Sequence, residues 1–146
     1  MIGPKNIRSD GILTFVQSKT GGRAYVPWSN PLPEFAEGWE DEREVAKQAI
    51  TGTGETFLAV ASKSPSVKGL GDLIADAARA TGLKDRSAHG LRKARLTEIA
   101  QAGGTSHAIM GWGGHTSLSE VEHYTKAAQM RRLVGRERGR NLVSPG

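Results

Sequence analysis

The chain opens with alternating β-branched and aromatic residues and then changes to apolar positions spaced three and four apart. Gly11 to Ser18 reads Gly-Ile-Leu-Thr-Phe-Val-Gln-Ser, and Arg23 to Pro27 reads Arg-Ala-Tyr-Val-Pro. Lys19-Thr20-Gly21-Gly22 lies between them and supplies two glycines suited to a tight turn. Two such runs around a glycine turn predict a β-hairpin. Asn30-Pro31-Leu32-Pro33 breaks regular structure. Glu34 to Glu44 holds six acids against one Arg, which predicts a solvated helix face continuing to about Ile50. Thr51 to Gly54 reads as a turn and Thr56 to Val60 as a short apolar strand.

From Ser66 onward the period is helical. Ser66 is placed to cap a helix reaching about Ala80, with Leu70, Leu73, Ile74 and Ala77 on one face. Ser87 caps the next, which carries Leu91, Leu96 and Ile99 and stops at Gly103-Gly104. Thr105 opens a short helix with Ile109 and Met110 inward, ended by Gly111 to Gly114, and Trp112 is expected to pack beneath it. Ser117-Leu118-Ser119-Glu120 matches a capping box at the head of a last helix. The expected fold is α+β and mostly helical, with a small antiparallel β-hairpin or sheet at its edge.

Length and composition narrow the classes. With 146 residues the chain is one domain, 1–146, with a basic tail expected to fray from about 135. There is no cysteine, so disulfides, thiolate metal sites and cysteine nucleophiles are excluded. No apolar run is long enough for a membrane span and no secretory leader is visible, so the expected location is the cytoplasm. Residues 1–60 hold six Lys/Arg and eight Asp/Glu, a net of −2, whereas residues 61–146 hold fourteen and seven, a net of +7. A basic second half suits a polyanion such as nucleic acid.

Several motifs carry little. Gly69-Leu70-Gly71 has neither the preceding strand nor the third glycine of a dinucleotide loop, and there is no P-loop and no Gly-x-Ser-x-Gly elbow. His89, His107, His115 and His123 make no i, i+4 metal pair with a nearby acid, so no metal or other cofactor is expected. His107, His123 and Trp112 are read as structural.

One constellation stands out: His89-Gly90-Leu91-Arg92, then Gly114-His115, then Tyr124. On a helix, His89 and Arg92 share a face. Arginine presents a fork of donors matched to two phosphate oxygens. His115 follows three glycine-rich turn positions and sits on a tight loop. Tyrosine becomes a useful nucleophile when cations stabilise the charge developing at a phosphodiester. The competing structural reading makes Tyr124 a core residue at helical spacing from Val121 and Ala127, Arg92 an ion-pair residue, His89 and His115 ordinary polar positions, and Lys19 a turn lysine.

At these residues the sequence resembles the catalytic domain of the tyrosine recombinases, the phage integrases and their relatives. Ser87-Ala88-His89-Gly90-Leu91-Arg92-Lys93 is similar to the family's His-x-x-Arg box, Gly114-His115-Thr116-Ser117 to its Gly-His box, and Glu122-His123-Tyr124-Thr125 to its nucleophile segment. The nine-residue step from His115 to Tyr124 is the family's usual one, and Lys19 matches its hairpin lysine. The resemblance covers almost the whole chain. It implies that Tyr124 attacks a DNA phosphodiester to form a 3′-phosphotyrosyl bond, that Arg92 and His115 bind the non-bridging oxygens, that His89 orients the phosphate or assists proton transfer, and that Lys19 protonates the leaving 5′-oxygen. It also implies double-stranded DNA as partner, further recombinase protomers on that DNA, no membrane and no metal.

The resemblance departs at one point. The family carries a further catalytic Arg about two dozen residues before the hairpin lysine, a motif spacing that falls ahead of Met1. Arg8 is eleven residues from Lys19, too close, and is not assigned. The chain is thus expected to correspond to the tail end of an integrase. Two rivals follow: a catalytically inactive DNA-binding remnant, and an interaction module that has lost DNA binding.

Overall fold

In a computed structural model, which describes residues 2–50, 55–58 and 65–135, the chain is mostly helical with one small antiparallel sheet. Strand β1 (Ile12–Val16) pairs with β2 (Arg23–Pro27), in the register Ile12 with Pro27, Thr14 with Tyr25 and Val16 with Arg23. Five α-helices follow the sheet: α1 (Glu40–Ala49), α2 (Val67–Ala80), α3 (Ala88–Gln101), α4 (Ser106–Gly113) and α5 (Glu122–Val134). None of the described helices is long and apolar enough to cross a membrane.

The hairpin begins one residue later than the β-branched run suggests. Gly11 belongs to the preceding turn, where its carbonyl accepts from the backbone N–H groups of Trp28 and Ser29. The N-terminal segment closes the same end. Asn6 donates from Nδ2 to the Thr14 carbonyl at 3.1 Å and accepts from the Gly3 N–H at 2.9 Å. Ile7 adds a single bridge to Leu13.

Glu34 to Ile50 is not one helix. Residues Glu34–Trp39 form a 3-10 helix after Pro33, and α1 starts only at Glu40. The tighter turn places Phe35 and Trp39 against Trp112, with ring centroids 6.0 and 5.8 Å apart in edge-to-face geometry. Trp112 therefore packs as expected, with those two rings as its partners. The acids face solvent, as the pattern predicted, but Glu42 reaches across to Arg95 of α3 at 2.5 Å. The Arg95 guanidinium in turn lies 4.0 Å over the Trp39 ring.

Leu96, Ile99 and Ala100 of α3, Ile109 of α4 and Val121 form the buried core. Phe35, Trp39, Met110, Trp112, Tyr124 and Ala128 surround it, half-buried. Leu91 of the same helix is exposed, because its five-residue step to Leu96 takes it off the buried stripe. The predicted strand at Thr56–Val60 is not formed in its described part. Thr56 to Leu58 runs as a bend, and Phe57 stacks on Trp28 at 4.9 Å. The turn at 51–54, residues 59 and 60, and the tail beyond 135 lie outside the described residues.

Candidate active site

Helix α3 starts where its cap dictates: Ser87 Oγ accepts from the Gly90 N–H at 3.1 Å. From that origin Arg92, Leu96 and Ile99 fall on one stripe, four and then three residues apart. Leu96 and Ile99 are buried, so Arg92 is carried to the edge of the core and is itself half-buried. His89 continues the stripe one turn further out, where it is exposed. It makes no hydrogen bond or ion pair among the described residues.

Helix α4 brings the second box to the same place. Thr105 Oγ1 caps its start by accepting from the Ala108 N–H at 3.1 Å. Its end is set by Gly114, which adopts φ 68° and ψ 37°, a left-handed cap that glycine accepts without a Cβ penalty. The N–H groups of Gly114 and His115 both donate to the Met110 carbonyl, at 2.8 and 3.1 Å. This reversal folds His115 back over Gly113, where an added Cβ would lie 2.6 Å from the imidazole ring.

Arg92 and His115, 23 residues apart in sequence, thereby come within 3.4 Å, Nη2 to Nε2. Arginine has only donors, so this contact makes Nε2 the acceptor and places the proton of a neutral ring on Nδ1. Burial pushes the His115 pKa below the usual histidine value, and the nearby Arg92 charge pushes the same way. The Glu120 carboxylate and the Ile109 backbone act in opposition, although Nδ1 completes no hydrogen bond of good geometry. At neutral pH the pair is thus one fixed cation beside a neutral imidazole. The guanidinium has donors that an anion can recruit, whereas the imidazole offers Nε2–H only once its proton moves there or the ring is protonated, since Nδ1 is buried.

Tertiary contacts bind the hairpin to this loop. Gln17, just after β1, donates from Nε2 to the Gly113 carbonyl at 2.5 Å. Gly22 approaches so closely that a Cβ would stand 1.9 Å from the Gly114 carbonyl oxygen. On Gly114, a Cβ would in turn meet Ala24 at 3.3 Å. Lys19, at the tip, is exposed and forms no ion pair among the described residues.

Tyr124 approaches from α5. The expected capping box does not form: Ser117 bonds to Ser119 instead, and residues Leu118–Glu120 make a separate 3-10 turn. Glu120 reaches back to Thr116, accepting from its backbone N–H at 3.2 Å and its hydroxyl at 3.3 Å. This closes the loop between His115 and Tyr124. Fully buried Val121 anchors the start of α5, and its carbonyl accepts from the Tyr124 N–H at 3.0 Å. Buried Thr125 shares a 3.0 Å hydroxyl contact with Ser106 of α4. Tyr124 is half-buried against the core, with His123 tilted on its ring at 3.9 Å. His123 therefore has a partner in the site, whereas His107 is simply exposed.

Of the five candidates, Arg92 and His115 are in contact. Lys19 rides on a hairpin secured to the same loop, Tyr124 packs on the same core, and His89 stands exposed one turn away. The residues that sequence reasoning missed are Gln17, Glu120 and the Ser106–Thr125 pair. A glycine followed by a close neighbour, as at Gly22, hints at backbone approach, but no pattern names the partner.

The phage integrase family model matches residues 4–131 of the chain. Neither the curated proteins nor the solved structures contain a match.

Proposed function

Because the chain belongs to the phage integrase family, whose enzymes are tyrosine recombinases acting in site-specific recombination, we propose that it cleaves and rejoins DNA through a 3′-phosphotyrosyl intermediate. The observation that carries this reading is the Arg92–His115 contact, formed from two distant segments, with the hairpin packed against the loop that carries His115. In the proposed step the Tyr124 hydroxyl oxygen attacks phosphorus, and the bond from phosphorus to the 5′-oxygen breaks. Arg92 and His115 take the non-bridging oxygens, where preorganised donors stabilise the charge that builds up. His89 orients the phosphate or assists proton transfer, and Lys19 supplies the proton that makes the leaving group a 5′-hydroxyl. The new ester conserves the bond, so a second strand's 5′-hydroxyl reverses the step without ATP. Double-stranded DNA and further protomers bound to it are the proposed partners.

The test is a nicked duplex that traps the covalent adduct. Where the active site assembles, the adduct should be abolished by Tyr124→Phe and cut strongly by Arg92→Ala. Lys19→Ala should slow cleavage of a 5′-oxygen leaving group but matter much less for a 5′-thiol. No residue of this sequence is assigned as the family's further phosphate-binding Arg, so little or no adduct is expected from this chain alone. An adduct that persists in Tyr124→Phe would remove the assignment. A chain that binds duplex yet never forms one is a DNA-binding remnant.

A further inference from the structure

The net −2 of the first sixty residues conceals a basic surface. Arg43 and Lys47, on the acidic helix α1, are paired with Glu40 and Glu44. The other four cations of residues 2–50 are Lys5, Arg8, Lys19 and Arg23, and none forms an ion pair among the described residues. All four lie on the hairpin or on the segment that closes its end. The acid among residues 2–27 is Asp10, and its Oδ1 is occupied by the Ile12 N–H at 3.0 Å. The acidic stretch from Glu34 cancels this surplus in a sum along the chain, but none of its acids lines the groove that these cations share.

Three of these cations converge. Lys5, Arg8 and Arg23 line an open groove of about 480 Å³ on one face of the sheet, together with Thr14, Tyr25 and a single acid, Asp10. The cross-strand register fixes which face this is. Arg23 and Tyr25 project to one side of β2, while Ala24 points to the other, against Gly114 of the candidate active site. Tyr25 is 48% exposed, with one ring edge near Gly111 of α4, and Val16 is 56% exposed, so much of this face is open to solvent. Unpaired cations around an exposed phenol and a threonine hydroxyl form a donor-rich surface suited to a row of phosphates.

We infer that this outer face of the hairpin, through Lys5, Arg8 and Arg23, is a second DNA contact that holds the phosphate backbone of the duplex flanking the reactive phosphodiester. The inference rests on the proposed function for the identity of its ligand. A two-stranded β-ribbon fits a DNA groove and then has backbone on both sides. With the reactive phosphate on the Ala24 side, the opposite side of the ribbon meets its own stretch of backbone. This also gives Arg8 and Arg23 a role distinct from that of the family's further catalytic Arg, since Arg23 points away from the Arg92–His115 loop.

The experiment compares the whole chain with a Lys5→Gln, Arg8→Gln, Arg23→Gln variant, measuring the affinity for a fluorescent duplex across a salt series. Each phosphate that the protein no longer neutralises lowers the slope of log affinity against log salt by about 0.9, so the slope should fall by roughly two to three. The charge-preserving Arg8→Lys, Arg23→Lys variant should keep it, which separates charge removal from misfolding. A Lys68→Gln, Arg79→Gln variant, whose cations on α2 are already paired with Asp72 and Asp76, should leave it unchanged. If the wild-type chain binds with a clear salt slope that the triple variant retains, the groove is not a DNA contact and the proposed function is untouched. If the triple variant loses affinity only for single strands, duplex as the ligand is overturned. If the wild-type chain binds no DNA at all, the proposed function fails first.

Discussion

Helices α2 and α3 are alike at their starts and opposite in their fates. Each is capped by a serine whose hydroxyl accepts from the N–H three residues on, at 3.0 Å for Ser66 and 3.1 Å for Ser87. Each runs for 14 residues. The cleaner apolar stripe belongs to α2, with Leu70, Leu73, Ile74 and Ala77 on one face. Yet α2 has no buried residue and Leu73 is 48% exposed, while α3 buries Leu96, Ile99 and Ala100 and carries Arg92 into the site. Capping and amphipathic pattern thus determine that a helix exists. What it packs against determines whether it stabilises the fold and holds chemistry in place.

The largest expected effect tests this contrast directly. Ile99→Ala removes a fully buried side chain from the α3–α4–α5 core and should cost about 2–5 kcal/mol in denaturant unfolding. Leu73→Ala on α2 should stay within about 0.5 kcal/mol, the range of surface substitutions. Equal losses at the two positions would show that α2 is part of the core after all.

Next comes the junction between hairpin and loop. Gly22→Ala places a methyl group where the Gly114 carbonyl already stands, so strand and loop must separate, at about 1–3 kcal/mol. Its effect on adduct formation should exceed its effect on melting, because Lys19 moves away from the Arg92–His115 pair. The neighbouring Gly21→Ala faces open space, and its penalty is the left-handed φ of 71° alone, about 1–2 kcal/mol. If Gly21→Ala harmed cleavage more than Gly22→Ala, the close approach would not be what aligns the site.

The serine caps sharpen the comparison further. Ser87→Ala should lower global stability by about 1 kcal/mol, the usual cost of a lost N-cap. Ser66→Ala should remove as much from α2, but as local opening seen in amide exchange rather than in the global transition, because α2 contributes no buried residue to the core.

The smallest effect concerns pH. Burial and Arg92 hold the folded-state pKa of His115 below that of the unfolded chain, so the unfolded chain protonates first as pH falls. The stabilising contribution is therefore complete above the unfolded value, about 6.5, and is lost as pH falls from there toward the folded value. In an NMR titration of the ring proton, Arg92→Ala should raise the His115 midpoint and Glu120→Gln should lower it. An unchanged midpoint in both would mean that burial alone sets the histidine's charge.

Much of this protein was legible along the chain. Local rules act over three or four residues, so they located the hairpin strands, the Ser66, Ser87 and Thr105 caps, and the glycine stop after α4. The periodicity also put Ile109 inside. Where a local pattern met a tertiary demand, it gave way. Leu91 stayed outside because only the stripe through Arg92, Leu96 and Ile99 meets the core, and the 3-10 turn at Glu34–Trp39 seats two rings on Trp112. The Ser117–Glu120 box yielded to a carboxylate turned back to Thr116. Contacts between distant segments have no periodic signature: Arg92 on His115, Gln17 on Gly113, Ser106 on Thr125. Nor does a sum of charge along the chain reveal a basic face whose compensating acids lie on another helix. The residue types and spacings determined which groups are available for phosphate chemistry. Only the packing of α3, α4 and the hairpin decided that Arg92 and His115 meet, because that meeting depends on a left-handed glycine and a buried stripe acting together.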